Sequence, residues 1–525
     1  MPLSVEPVVH PAHRDRSARR SARAALASLG ALTLLLSGCA AGKVQSTPSE
    51  SGAGATAGAP ADSIDALYAQ QVEWSDCGED ECATVAAPLD WDDLSLGTIE
   101  LAVQRHAATG ADRMGSLLLN PGGPGQSGIG FLGYAVSDIF GAEVLSAYDI
   151  VAFDPRGTGD STAVQCGGDA LIDEYLTQDV EIESQEDLDA ARARVAAVGQ
   201  ACLEATGDLL GHVDTVSAAK DLDLLRAVVG DEKLNYLGYS YGTFLGATYA
   251  GLFPENVGRF VLDGALDPSM SNDQLSLEQA EGFETAVRAY VTDCQAGSGC
   301  PLTGTVDEGM QQIRQVVDRA EARPLDAGDG TTVNGTLAFY GIIVTLYDDS
   351  SWPYLTQALT EVVTQNTGGT LAQLANLYLD RTADGAYTSN AMMAFTAINC
   401  LDYPSVERSY DELLEVAAEV EAVAPTFGDQ FALAAGCESW PVTSTREPAP
   451  ITAEGAGPIL VIGTTGDPAT PYRWAEALAD QLESGHLLTW DGEGHTAYGR
   501  GGACVADAVE GYLLDGEVPA DGAAC

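Results

Sequence analysis

The chain of 525 residues predicts an α/β fold: a mostly parallel sheet flanked by helices, with an inserted helical cap domain. Three observations lead there. Strand and helix patterns alternate from about 72 to 268. From about 270 to 450 the spacing of apolar residues turns helical. A continuous apolar run then returns at 458, as expected of a strand buried on both faces.

The elements follow in order. Strands are expected near 99–106, 115–120, 148–154, 233–239 and 259–263. A helix over 218–229 places Leu222, Leu225 and Val229 on one face, and Gly230 follows as its stop. Helical spacing in the insert covers 275–294, 306–322, 337–346, 354–365, 371–379 and 410–423. A strand over 458–463, a helix over 472–482 and a strand over 486–490 close the pattern. No internal repeat is visible. The expected boundaries are a leader at 1–38, a tether at 39–63, a first core part at 64–269, the cap at 270–450 and a second core part at 451–525.

Ser240 lies at the centre of Gly238-Tyr239-Ser240-Tyr241-Gly242. A short apolar and aromatic strand precedes it, and a helix rich in small residues follows. Strand, sharp turn and helix with serine at the apex form the nucleophile elbow of α/β-hydrolases. The flanking glycines allow strand and helix to pack closely around a strained turn. That strain holds the serine hydroxyl above the sheet edge.

Such a serine needs a base, and the chain has six histidines. His10 and His13 fall in the leader, His106 in an early strand, and His212 ahead of the helix before the elbow. His486 begins a late strand. His495 alone follows that strand, in the loop Asp491-Gly492-Glu493-Gly494-His495-Thr496. The chain order in this fold is nucleophile, acid, histidine. Asp467 ends the apolar strand Pro458-Ile459-Leu460-Val461-Ile462-Gly463, at the carboxyl edge where parallel sheets carry their sites. Its 28-residue separation from His495 leaves room for one helix and one strand. Asp263, after an earlier strand, is the alternative acid. Pro121-Gly122-Gly123-Pro124-Gly125 directly follows the strand ending at Asn120, where backbone N–H groups can reach an oxyanion. Gly123 and Tyr241 are the expected donors. The loop lacks the Gly-Lys-Ser/Thr of a phosphate-binding loop.

Together these motifs resemble the proline iminopeptidase type of α/β-hydrolase, and more closely the secreted actinobacterial tripeptidyl aminopeptidases. Asn120–Gly125, Phe153-Asp154-Pro155-Arg156-Gly157-Thr158-Gly159-Asp160-Ser161, the elbow and Gly492-Glu493-Gly494-His495 carry the resemblance, over about 72 to 525. It implies a serine exopeptidase that removes short peptides from free N-termini, with no cofactor. One position departs: iminopeptidase relatives begin the glycine loop with histidine, and here it is Pro121.

The N-terminus carries five arginines between 14 and 23, then the apolar stretch 24–36. That stretch is too short to remain as a membrane span and fits a signal peptide. It ends in Leu36-Ser37-Gly38-Cys39, which resembles the bacterial lipobox, with Cys39 as the lipidated residue. The tether beyond it is rich in Ala, Gly, Ser, Thr and Pro. The expected location is therefore the outer face of the cell membrane, through a lipid anchor.

Ten of the eleven cysteines remain, an even number in an exported chain. Proximity and the look of the family suggest Cys77–Cys82, Cys166–Cys202, Cys294–Cys300, Cys400–Cys437 and Cys504–Cys525. No Cys-x-x-Cys occurs and no histidine lies near the cysteines, which argues against zinc. The formal charge of −53 reads as a solvated acidic surface and excludes nucleic acid as a partner.

An aminopeptidase must also bind the substrate's α-ammonium. Asp402 and Glu438 are the candidates, because the Cys400–Cys437 pairing would bring them together. Two other readings compete. A carboxylesterase would use the same triad on an ester. A solute-binding lipoprotein would share the lipobox and tether, but has no need of the elbow, glycine loop, Asp467 and His495 in this order.

Overall fold

The computed structural model describes Gly58, Ala61 and residues 63–432, 436–520 and 522–525. The expected leader, Cys39 and nearly all of the tether lie outside the described residues.

Ten strands form one sheet: β1 Ser75–Cys77, β2 Asp80–Pro88, β3 Thr98–His106, β4 Gly115–Asn120, β5 Tyr148–Phe153, β6 Leu234–Tyr239, β7 Val257–Asp263, β10 Ile459–Gly466, β11 Gly485–Glu493 and β12 Ala523–Ala524. The order across it is β1-β2-β3-β5-β4-β6-β7-β10-β11-β12. The pairs from β1 to β5 are antiparallel, and every pair from β5 to β12 is parallel. All residues of β4 and β5 are buried, and their centres, Leu117-Leu118-Leu119 and Ile150-Val151-Ala152-Phe153, are apolar on both faces. Helices cover both faces. Phe244, Tyr249 and Trp474 pack on one side, and Tyr148, Tyr498 and Tyr512 on the other.

Register brings the functional strand ends together. Asn120 pairs with Gly238, Tyr239 with Asp263, and Asp263 with Ile462. The loops after β4, β6, β7 and β10 therefore open at one edge.

The motif Asp154-Pro155-Arg156 supports this edge from below. Asp154 accepts from the Ser127 hydroxyl at 2.6 Å and from Ile129 N–H at 3.2 Å, fixing the helix that follows the glycine loop. Arg156 is wholly buried. It pairs with Asp221 at 2.6 and 2.7 Å and donates to the carbonyls of Pro88, Leu89 and His212. A buried guanidinium is tolerated only with its donors so satisfied.

Between β7 and β10 the chain builds the helical cap. Its helices are Asn272–Ala296, Val306–Ala322, Gly335–Ile343, Trp352–Gln365, Gly369–Tyr378, Ala391–Asp402, Tyr410–Val423 and Gly428–Ala432. Three start with reciprocal capping boxes, at Ser271/Gln274, Thr305/Glu308 and Ser409/Glu412. Phe283, Tyr290, Ile313, Phe339, Leu355 and Phe427 belong to its own buried cluster. A two-stranded hairpin, β8 Leu325–Asp326 and β9 Thr332–Val333, interrupts the helices.

Five disulfides join Cys77–Cys82, Cys166–Cys202, Cys294–Cys300, Cys400–Cys437 and Cys504–Cys525, each cysteine to its neighbour in sequence. Among the described residues, no helix is long and apolar enough to cross a membrane.

Candidate active site

Ser240 stands between β6 and the helix Tyr241–Leu252 with φ 55° and ψ −123°. A side-chain-bearing residue is strained at such a φ, and the surroundings hold it there. Ser240 N–H donates to the Asp263 carbonyl at 2.9 Å, and the Ser240 carbonyl accepts from Thr243 N–H at 2.8 Å and its hydroxyl at 2.6 Å. The flanking glycines are set by close approach. A Cβ at Gly238 would lie 2.4 Å from the Gly242 carbonyl oxygen, and one at Gly242 would lie 2.8 Å from Asn120 Oδ1.

Asp467 follows β10 and is 4% exposed. Its carboxylate accepts from Ala469 N–H at 2.9 Å, Thr470 N–H at 2.8 Å, the Thr470 hydroxyl at 3.0 Å and Thr496 N–H at 3.2 Å. Both oxygens lie 2.9 Å from His495 Nδ1. A carboxylate so placed makes Nδ1 the donor and leaves Nε2 as the basic nitrogen. Ser240 and His495 meet the same strand end. A Cβ on Gly264, the residue after Asp263, would sit 3.1 Å from His495 Cε1.

The glycine loop reaches the elbow from the other side. A Cβ at Gly122, whose φ is 99°, would lie 2.9 Å from Ser240 Cβ and 3.3 Å from Tyr241 N. Gly122 N–H is taken by Asn120 Oδ1 at 2.9 Å. Tyr241 N–H opens its helix, where backbone donors lack intrahelical acceptors. Gly125 abuts the cap: a Cβ there would meet Ala391 O at 2.5 Å and Phe395 N at 2.8 Å.

The family description "alpha/beta hydrolase fold" matches residues 115–315, and "TAP-like protein" matches 424–525. Serine protease Hip1 of Mycobacterium tuberculosis is 37% identical over 481 residues, covering 87% of this chain and 91% of the relative. The chain belongs to the α/β-hydrolase family. Carboxylesterase B of M. tuberculosis is 38% identical over 528 residues, covering 97% of this chain and 98% of the relative. Tripeptidyl aminopeptidase of Streptomyces coelicolor is 31% identical over 470 residues, 86% of each chain. As a member of this family the protein is a serine hydrolase.

In this α/β-hydrolase the imidazole Nδ1 bonds to Asp467 and not to the alternative acid, Asp263. Asp263 is completely buried and accepts from Ala497 N–H at 3.0 Å and Tyr498 N–H at 2.7 Å. Burial pushes its carboxyl up to about 7, against those two N–H groups. It holds the backbone just beyond His495.

Asp402 and Glu438, the expected ammonium partners, lie either side of the Cys400–Cys437 disulfide. The disulfide beside them forms, but both carboxylates already have partners. Asp402 is 1% exposed and accepts from Thr215 N–H at 2.9 Å and its hydroxyl at 2.6 Å. Glu438 pairs with Arg192 at 3.1 Å. A disulfide fixes where two backbones meet; it does not fix which way nearby side chains face.

Two contacts to His495, one from the cap and one from its own loop, are absent from the sequence reading. Tyr347 accepts from His495 N–H at 2.8 Å through its carbonyl, and its ring lies 5.5 Å from the imidazole, edge on. Arg500 donates to the His495 carbonyl at 2.9 Å. Neither residue sits in a motif, so no local signal marks them.

Proposed function

We propose that the protein is an exported serine aminopeptidase that releases short peptides, tripeptides above all, from free N-termini. The observation that carries this reading is the pairing of His495 Nδ1 with a fully satisfied Asp467, behind a strained serine and beneath a helical cap. Ser240 attacks the scissile carbonyl while His495 Nε2 takes its proton. Asp467 keeps the imidazole in the required tautomer and stabilises the imidazolium. The N–H groups of Gly123 and Tyr241 receive the oxyanion. His495 then protonates the leaving amine, and water resolves the acyl-enzyme.

With Asp402 engaged by Thr215 and Glu438 by Arg192, other carboxylates are the better candidates for the ammonium. A cleft of about 550 Å³ opens beside Ser127, at the start of the helix after the glycine loop, and runs between the core and Asn390, Met392 and Met393 of the cap; Ser240 and His495 do not line it. The exposed Asp160 and Asp169 line it and suit a cationic peptide end. Kinetics on a tripeptide amide with a free N-terminus, and on its acetylated form, test the reading. The free form should be cleaved at least roughly tenfold faster, the factor that about 1.4 kcal/mol of lost ammonium binding gives. Equal rates would reject the aminopeptidase.

The 38% identity to a carboxylesterase over nearly the whole chain favours one second reading, the same triad acting on an ester. Comparing kcat/KM on matched ester and amide substrates separates the two. Lipid anchoring at Cys39 is part of the proposal, and five disulfides suit the oxidising side of a membrane. An intact mass showing a mature N-terminus other than a lipidated Cys39 would refute the anchor.

A further inference from the structure

The loop carrying His495 is strained and is held from two sides. Thr496, next to the histidine, has φ 65°, a value β-branched residues avoid. On the core side, Asp263 accepts from the N–H groups of Ala497 and Tyr498. On the other side, one guanidinium gathers the carbonyls around the histidine. Arg500 Nη1 donates to His495 O at 2.9 Å and Thr496 O at 3.2 Å, and Nη2 donates to Glu493 O at 2.9 Å.

The same Nη2 reaches into the cap, at 3.4 Å from Asp348 Oδ1 and 3.3 Å from Asp349 Oδ1. Asp348 also forms an antiparallel bridge with Gly494, and the neighbouring Tyr347 carbonyl accepts from His495 N–H. Arg500 lies over the Trp490 ring, 5.4 Å from its centroid, and its side chain is 17% exposed. The cap segment 347–349 and the histidine loop thus share one cation.

We propose that Arg500 is a positioning residue for His495, and that through Asp348 and Asp349 it makes the histidine's place depend on the cap being docked. Closure of the cap and assembly of the triad are then one event. The two terminal nitrogens of a planar guanidinium, held in a fixed fork, serve three carbonyls and two carboxylates together, Nη2 sharing its hydrogens among Glu493 O and both carboxylates. A lysine ammonium has three donors on a single nitrogen and cannot span them. Without the fork, the strained turn relaxes and carries the imidazole off its line to Ser240.

This inference rests on the triad proposed above, and its test keeps the two apart. Hydrolysis of p-nitrophenyl acetate, which needs no N-terminal recognition, is measured for the wild type, Ser240→Ala, Arg500→Ala, Arg500→Lys and the double variant Asp348→Asn/Asp349→Asn. In Arg500→Ala, kcat should fall on the order of a hundredfold with KM nearly unchanged, the scale of a catalytic group displaced by about 1 Å. Dilute guanidinium chloride should restore roughly tenfold of that loss, the same concentration of sodium chloride should not, and Arg500→Lys should remain impaired. The double variant keeps the carbonyl bonds of Arg500 and should lose about two- to fivefold in kcat, since its two contacts are partly exposed. It carries the test if Arg500→Ala fails to fold. Unchanged kcat in a folded Arg500→Ala, or a loss that guanidinium does not repair, would overturn the role. Wild-type activity that survives Ser240→Ala would overturn the triad itself, and the role of Arg500 with it.

Discussion

Replacing Asp402 by Asn should change how stability depends on pH and leave substrate choice alone. Asp402 is buried and its carboxylate accepts from Thr215, whose hydroxyl lies 2.5 Å from the Tyr241 hydroxyl. Burial pushes its carboxyl from the ordinary 3.8 up to about 7; the Thr215 bonds oppose this, Asp214 adds to it and Arg446 reduces it. The folded state therefore binds this proton more tightly than the unfolded chain. Its stabilising effect is complete below about pH 4 and is lost as the pH rises through about 7, on the order of 4 kcal/mol in all. Asparagine carries no charge at any pH. It gives up one good hydrogen bond to Thr215, about 1 kcal/mol regardless of pH. Asp402→Asn should thus be slightly less stable than the wild type near pH 4.5, and equal or more stable near pH 8. Urea unfolding midpoints of both proteins at several pH values measure the difference. A constant gap across that range would refute the buried-carboxyl argument. The preference for free over acetylated tripeptide amides should be the same in both proteins. If Asp402→Asn erased it, the carboxylate would be facing substrate after all.

Two further perturbations follow from the site. Asp467→Asn should lower kcat by about 10⁴-fold by spoiling the imidazole tautomer, and Asp263→Asn should cost far less; the reverse order in peptide-amide kinetics would mean the acid is misassigned. Gly122→Ala places a Cβ 2.6 Å from the Tyr239 carbonyl and 2.9 Å from Ser240 Cβ at a φ of 99°, so kcat should fall roughly 10²- to 10³-fold as the oxyanion donors shift; a fully active, folded variant would show that the loop plays no such part.

Much of this architecture is legible in the chain because local signals carry it. Apolar stretches mark the central strands, and observed bounds such as Gly115–Asn120 and Thr98–His106 sit where the pattern ends. Helices Val306–Ala322 and Tyr410–Val423 start at capping boxes and show clear apolar stripes. The helix Ala391–Asp402 is different. Ala391, Met393, Ala394, Ala397, Ile398, Cys400 and Leu401 are all buried, so no polar face marks its period. The strand Asp80–Pro88, second from the sheet edge, is short on large side chains and equally faint. Ser240, Asp467 and His495 could be named because each follows a strand or sits in a glycine turn. The partners of Asp402 and Arg500 could not, because they lie 187 and about 150 residues away in sequence, and only the folded cap brings them near.

Active-site labelling of the folded protein with a fluorophosphonate, followed by peptide mapping, tests the central claim most directly. The account places the adduct on Ser240 and nowhere else, with no labelling of Ser240→Ala and labelling slowed at least about a thousandfold in His495→Ala. An adduct on another residue, or equal labelling of wild type and Ser240→Ala, would contradict it.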